Sequence, residues 1–228
     1  MSGRFDIAVI GGTGALGSAL ALRLARADHR VVIGSRAPEK AEAAARELNA
    51  ILGRAALAAR DNLGAASDAD LVLLAVPYAA ERPSVEEIRA ALPGKILIDA
   101  TAPLMPPRVS RVQLPPGGSA VAAIQALLGD GVRVVSAFQN VAAAKLKELD
   151  QPIDCDVLIC ADDAGARKRV IELAGTIGLR GIDAGPICNS AAAEALTSLL
   201  IAINRTYKVP GAGIRITGLP PANPSLDK

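Results

Sequence analysis

Tryptophan is absent from this chain, and the aromatic residues are only Phe5, Tyr78, Phe138 and Tyr207. Platforms on which single-stranded bases stack need more aromatic surface than that. Neither charge sign dominates. Lysine and arginine total 25 and aspartate and glutamate 23, a formal charge of +2, too balanced for a protein that mainly grips phosphate backbones. Unbroken apolar runs are short. Even 71–80, with Pro77 inside it, is far below the ~18 residues of a membrane span. The N-terminus reaches Gly11 and Gly12 too soon for a signal peptide and has no cleavage-like segment. A soluble, cytoplasmic protein is expected, with no nucleic-acid or membrane partner. Cys155, Cys160 and Cys188 are odd in number and lack CxxC spacing, so they read as buried small apolar residues, and no metal site is expected.

What is present is apolar and regular. Of 228 residues, 51% are hydrophobic and 21% charged, ample for a packed core and against general disorder. Buried strands are predicted at 5–10, 30–33, 55–59, 70–76, 95–99 and 132–137. Helices are predicted at 15–27, 38–50, 83–92 and 119–128. Strands apolar on both faces that alternate with helices make an α/β fold with a doubly wound parallel sheet. Residues 103–119, with five prolines and the Gly117–Gly118 pair, read as a loop beside a site. Beyond it, strands at 156–160 and 179–183 and helices at 164–177 and 191–207 indicate a smaller α/β part. The proline-bearing tail from Gly218 is expected to be peripheral.

Gly12-Thr13-Gly14-Ala15-Leu16-Gly17 is a GxGxxG between a predicted strand and a predicted helix, the context in which this pattern marks a Rossmann dinucleotide site. Gly12 is expected to allow the tight turn, Gly14 to let the backbone approach a pyrophosphate, and Gly17 to let helix and strand pack closely. The helix start would supply free N–H groups and a favourable dipole. The second strand ends Gly34-Ser35-Arg36, with Lys40 four residues on. An NAD enzyme usually carries a carboxylate here for the ribose 2′-hydroxyl. A hydroxyl and two cations suit a 2′-phosphate instead, so the cofactor expected is NADP.

Acid–base equipment is scarce. His29 lies in the turn between the first helix and second strand, away from the cofactor end, and reads as a surface residue. Tyr-x-x-x-Lys is missing, since Arg82 follows Tyr78 and Gly211 follows Tyr207 at that spacing. GxxxxGK[ST] and GxSxG are missing too. An NADP enzyme without a catalytic side chain remains chemically sensible. Hydride transfer between two planar carriers needs stacked rings about 3–3.5 Å apart, with the carriers supplying the chemistry.

The segments 9–17 (VIGGTGALG), 32–36 (VIGSR) with Lys40, 135–137 (VSA), 183–186 (DAGP) with Asn189-Ser190, and 194–197 (EALT) together resemble the NADPH-dependent reductases of the deazaflavin coenzyme F420, in order from about residue 7 to 217. The resemblance implies a cytoplasmic homodimer that moves a hydride between NADP(H) and a deazaflavin. It implies a Rossmann domain over 1–135 and a smaller, substrate-covering domain over 136–228. Thr13, Gly14, Ala15 and Leu16 would meet the pyrophosphate, and Ser35, Arg36 and Lys40 the 2′-phosphate. Val76, Pro77, Ala100 and Ala143 would line the nicotinamide side. Gln139, Asn140, Asn189 and Thr197 would face the deazaflavin. Three positions depart from the family pattern: Gln139 stands for a histidine, Ala191 for an arginine and Ala195 for a serine. The departures leave other acceptors open, namely a flavin, a pterin or an imine. A non-catalytic NADP sensor is a further alternative. Pyrroline-carboxylate reductases share the first half, but the strands predicted near 156 and 179 argue against their all-helical second half.

Overall fold

The computed structural model describes residues 3–219. Six strands, β1 (Asp6–Ile10), β2 (Arg30–Gly34), β3 (Leu57–Arg60), β4 (Leu71–Leu74), β5 (Ile96–Asp99) and β6 (Arg133–Ser136), form one parallel sheet in the order β3-β2-β1-β4-β5-β6. This is the Rossmann strand order, in which direction reverses between β1 and β4 and leaves a crevice at their carboxyl ends. Ile10 pairs there with Gly34 on one side and Leu74 on the other.

Alternate residues of each strand feed two apolar layers. Ile7, Val9, Ile33, Leu73 and Ile98 pack against α1 (Ala15–Arg26) and α2 (Pro38–Leu52). Ala8, Ile10, Val32, Leu74 and Leu97 pack against α3 (Asn62–Ser67), α4 (Tyr78–Ile88) and α5 (Ala120–Leu128). The first layer continues without a break into the smaller part of the chain. That part holds α6 (Ala143–Lys147), β7 (Asp156–Ile159), α7 (Ala164–Thr176), β8 (Arg180–Asp183) and α8 (Ser190–Tyr207). β7 and β8 are a parallel pair, and β7 hangs on β6 through an antiparallel bridge between Ser136 and Cys160.

Two buried polar side chains fasten these parts. Arg23 of α1 donates to the carbonyls of Leu146 (2.7 Å), Glu148 (2.7 Å), Lys145, Gln151 and Ile177. Burial, with the Arg26 charge, lowers its pKa, and Glu148 opposes that. His29 is 4% exposed, not a surface residue. Its Nδ1 accepts from the Phe5 amide at 3.2 Å, and its Nε2 meets Thr176 Oγ1 at 2.7 Å. The turn lies at the end of the sheet opposite the β1–α1 turn, as its place in the sequence implied, but α7 covers it. Burial first, then the Arg4 charge, holds the imidazole below its ordinary pKa. Its stabilising contribution is therefore complete above the unfolded value of about 6.5 and is lost as pH falls through that value toward the lower folded one. His29→Ala strands the Phe5 amide and should cost about 1–3 kcal/mol. In denaturant titrations the difference from the native chain should shrink below about pH 6. A gap that persists unchanged at acid pH contradicts this account.

Other expectations need adjusting. α4 begins at Tyr78, five residues before the predicted start, and Pro83 lies inside it. Both Pro83 and Ala79, whose carbonyl loses its partner, are exposed, so water replaces the missing bond while Glu81, Ser84, Val85 and Ile88 stay buried on the sheet side. The short α3 and α6 were not anticipated. Cys155 and Cys160 are buried, but Cys188 is exposed. The expectation for the tail falls mostly on 220–228, outside the described residues.

Candidate functional site

The site begins in the turn from β1 to α1. Gly11 has φ +80°, and a Cβ there would lie 2.5 Å from the Ala75 carbonyl oxygen. The left-handed position thus belongs to Gly11, one residue before the glycine that the motif suggested. Gly12 answers to packing, since its Cβ would lie 2.8 Å from Ile33 Cγ2. A Cβ on Gly17 would strike the Gly11 carbonyl oxygen and lie 2.9 Å from its carbon, as expected where helix and strand approach closely. Gly14 differs. Its φ of −82° suits any residue, and the nearest neighbour of an added Cβ is the Gly11 oxygen at 3.3 Å. Gly14 opens on the crevice. It is the N-cap of α1 and offers no side-chain cap, so first-turn amides and the positive end of the helix dipole are available to an anion.

The crevice itself is a cleft of about 170 Å³. Thr13 and Gly14 line one wall, and Ser35, Arg36 and Asn62 the end beyond β2. Ala75, Val76 and Pro77 line the end beyond β4. Ser35 Oγ accepts from the Ala37 amide at 3.2 Å, which leaves its own proton free to donate. Arg36 and Lys40 are exposed, and among the described residues neither makes an ion pair. Arg36 lines the cleft, whereas Lys40, in the first turn of α2, does not. Gly12, Ala15, Leu16, Gly17, Ala100 and Ala143 also lie outside the cleft lining. Ala100 is buried at the end of β5, and Ala143 is half-buried at the start of α6.

The acceptor-side candidates fall into separate settings. Gln139 is 5% exposed and turns inward, its Nε2 donating to the Asp99 carbonyl (2.8 Å) and Ser136 Oγ (2.9 Å). Thr197 Oγ1 donates to the Gln139 carbonyl at 2.9 Å, which joins these two candidates through the backbone. Asn140 is buried and occupied by β7, with Nδ2 donating to the Asp156 carbonyl at 2.6 Å. Exposed Asn189 donates to the Ala184 carbonyl at 2.7 Å, which braces the 183–186 turn.

Three buried carboxyl groups that form no ion pair among the described residues escaped the sequence reading. Glu81 Oε1 and Asp99 Oδ2 are both buried without a hydrogen-bond partner. Burial is the main cause that raises both pKa values. Glu194 of α8 accepts from Ser119 Oγ (2.6 Å) and the Ala120 amide (2.8 Å) at the start of α5, where a helix N-terminus favours an anion. Burial raises its pKa in spite of these bonds. Asp99 left a trace in the sequence as an acid that closes the apolar run Ile96-Leu97-Ile98, and Glu194 appeared only within the 194–197 segment, with no role of its own. Asn62 was missed with α3, although the preceding Asp61 caps Gly64 in the usual N-cap manner.

Residues 6–103 match the family described as NADP oxidoreductase coenzyme F420-dependent. The F420-dependent NADP reductase of Methanocaldococcus jannaschii is 43% identical over 221 residues, covering 93% of this chain and 98% of that protein. The enzyme of the same name from Methanothermobacter marburgensis is 42% identical, covering 94% and 99%. A crystal structure of a proposed F420-dependent NADP-reductase from Arthrobacter sp. fb24 superposes with TM-score 0.79 at 25% identity, over 93% of this chain and 99% of that one.

Proposed function

The chain belongs to the F420-dependent NADP reductases, and on that premise we propose how its residues divide the work of moving a hydride between NADP(H) and coenzyme F420. Residues 1–135 hold the dinucleotide, and 136–228 cover the deazaflavin. The single observation that carries the NADP assignment is the end of β2. Ser35 and Arg36, which makes no ion pair among the described residues, face the cleft where an NAD enzyme would place a carboxylate. The diphosphate fits at Gly14, where the backbone is open and the helix amides are uncapped. Val76 and Pro77, at the opposite end of the cleft, bear on the nicotinamide, and Lys40 adds long-range charge from α2. NADPH supplies the hydride. The protein's part is to fix two rings in contact and exclude water, so no side chain is required as acid or base. Gln139 and Thr197 mark the edge where the second ring would enter.

The assay is loss of NADPH absorbance with oxidised F420, with FMN and a dihydropterin as separate arms. F420 should turn over, and the other two should be inert or at least about tenfold slower, a difference of about 1.4 kcal/mol. An inert F420 beside a rapidly reduced flavin would overturn the acceptor assignment and leave the NADP assignment standing.

A soluble cytoplasmic homodimer is the further reading. Ile187–Tyr207 is the one helical segment among the described residues long and apolar enough to cross a membrane, and a third of it is buried. Its inner face carries Glu194 onto α5. Its outer face shows Leu199, Ile203 and Tyr207 at four-residue spacing. Arg205 reaches Ser110 at 3.0 Å, in the same loop as exposed Met105, Val112 and Leu114. An exposed apolar band of this kind suits a second copy of the chain. Sedimentation should give twice the chain mass, and Leu199→Lys with Ile203→Lys should reduce it to one. A monomeric native protein would refute the pairing.

A further inference from the structure

α8 is seated on the rest of the protein without joining either apolar layer. Among the described residues, none of 190–207 belongs to those layers. The positions that α8 buries are Ser190, Ala193, Glu194, Ser198 and Leu200. Apolar burial therefore contributes little to its seating, and directional bonds contribute more. Ser190, Glu194 and Thr197 stand at i, i+4 and i+7, so they share one stripe of the helix. Ser190 Oγ lies 2.5 Å from Ser119 Oγ. Glu194 Oε1 accepts from Ser119 Oγ at 2.6 Å and from the Val121 amide at 3.4 Å, and its Oε2 accepts from the Ala120 amide at 2.8 Å. Ser119 is the N-cap of α5, and its Oγ accepts from the Ala122 amide at 2.9 Å. The first-turn amides of α5, which the helix itself cannot satisfy, are thus divided between Ser119 and a residue of another helix. Ser119 has one hydroxyl proton, and Glu194 receives it, so Ser190 is the donor of the serine pair. All three side chains are buried. Glu194 is the only acid in α8, and α5 contains no charged residue. The positive end of the α5 dipole is what compensates the carboxylate.

The stripe leads to the acceptor side of the cleft. One turn beyond Glu194, Thr197 Oγ1 donates to the Gln139 carbonyl at 2.9 Å. Gln139 Nε2 donates to the Asp99 carbonyl and to Ser136 Oγ, at the carboxyl ends of β5 and β6. Asp99 pairs in register with Leu74, the residue before the Ala75–Pro77 wall. α8 is therefore fastened to the same edge of the sheet at which the cleft opens. We propose that Glu194 is a positioning residue for hydride transfer: by capping α5 from α8 it fixes where Thr197 holds the Gln139 segment, and with it the space left for the acceptor ring. This rests on the acceptor reading above. Glutamine at 194 would keep the length of the side chain but not the fit. Its amide nitrogen would face either the Ala120 N–H or a Ser119 oxygen that already accepts from Ala122 and Ser190, so one bond is lost in either orientation. The cofactor cleft takes none of its lining from α8, so NADPH binding should not feel the change.

The test compares the native chain with Glu194→Gln, Ser119→Ala, Ser119→Thr and the E194Q/S119A double variant. Steady-state kinetics with NADPH and oxidised F420 are set beside NADPH titrations and unfolding midpoints. E194Q should raise the KM for F420 about tenfold, leave kcat within about threefold and leave the Kd for NADPH within about twofold. A general loosening of the fold would weaken NADPH binding as well. An NADPH Kd that rises in step with KM therefore overturns the proposal, as does an unchanged KM. S119A should raise KM about threefold or more. Because both substitutions break one contact, the double variant should fall short of the product of the two effects. A full product would mean that the residues act separately, against the proposal. S119T keeps the hydroxyl and should stay within about twofold of the native KM. A KM as high as that of S119A would overturn the role of the bond. If E194Q does not fold, S119A and S119T carry the test, since the two amide bonds to Glu194 remain. If the native chain does not reduce F420, the acceptor reading fails separately, and amide hydrogen exchange decides the positioning. In E194Q the amides of 137–141 and 190–197 should then exchange at least about tenfold faster than in the native chain, while those of 7–17 are unchanged. Equal rates would overturn the proposal.

Discussion

Gly14→Val should leave a folded protein that no longer binds NADPH, with Kd raised roughly a hundredfold or more, about 2.7 kcal/mol. The two halves of this expectation come from different measurements on the same residue. Gly14 has φ −82° and ψ 169°, an extended conformation that valine adopts readily. An added Cβ meets nothing closer than the Gly11 oxygen at 3.3 Å, so the unfolding midpoint should change little. The branched methyls, however, would project into the cleft at the uncapped start of α1, where the diphosphate must approach the backbone. The same replacement at Gly17 would test something else, because its Cβ collides with the Gly11 carbonyl and the turn itself would have to move. Calorimetry that finds undiminished NADPH binding to folded G14V would show that the diphosphate lies elsewhere.

Arg36→Ala should separate the two nicotinamide cofactors. A charge-assisted hydrogen bond contributes about 1.5–3 kcal/mol, and Arg36 is exposed, so solvent screening places the loss toward the lower end. NADPH affinity should fall about tenfold, and at most about a hundredfold, whereas NADH affinity should stay within about twofold. Raising the ionic strength should narrow the difference between native and variant, since the contact is solvent-accessible. Equal losses for both cofactors would mean that Arg36 supports the adenosine generally and does not read the 2′-phosphate. Ser35 would retain part of the preference, because its hydroxyl proton is uncommitted.

The legible part of this protein is the part written in consecutive residues. Apolar runs closed by glycine placed β1 and β2 to within a residue of their observed bounds. Strand–helix alternation produced the parallel sheet, because only a crossover helix can return a parallel strand to its neighbour. The Gly12–Gly17 motif and the Ser35–Arg36 pair were readable for the same reason. A turn that leads from a strand into a helix must satisfy local geometry, and consecutive residues set that geometry. α3 and α6 were too short for periodicity to register. α4 was misplaced because a proline was given the weight of a boundary when its lost bond could be made good by water.

Contacts made over long sequence distances were invisible. His29 looked like a surface turn residue, and α7, about 147 positions away, buries it. Glu81, Asp99 and Glu194 come from α4, β5 and α8, and nothing in their immediate neighbours distinguishes them from solvated acids. Folding removes water from all three at once, and only then does an acid at the start of another helix, as Glu194 is at α5, become the cheaper arrangement. The sequence by itself determined the parallel sheet and the glycine turn from β1 into α1, since each depends on residues within one or two turns of chain. The tertiary structure alone decided which polar groups are buried and which pair with which, because desolvation depends on the neighbours that the fold brings together.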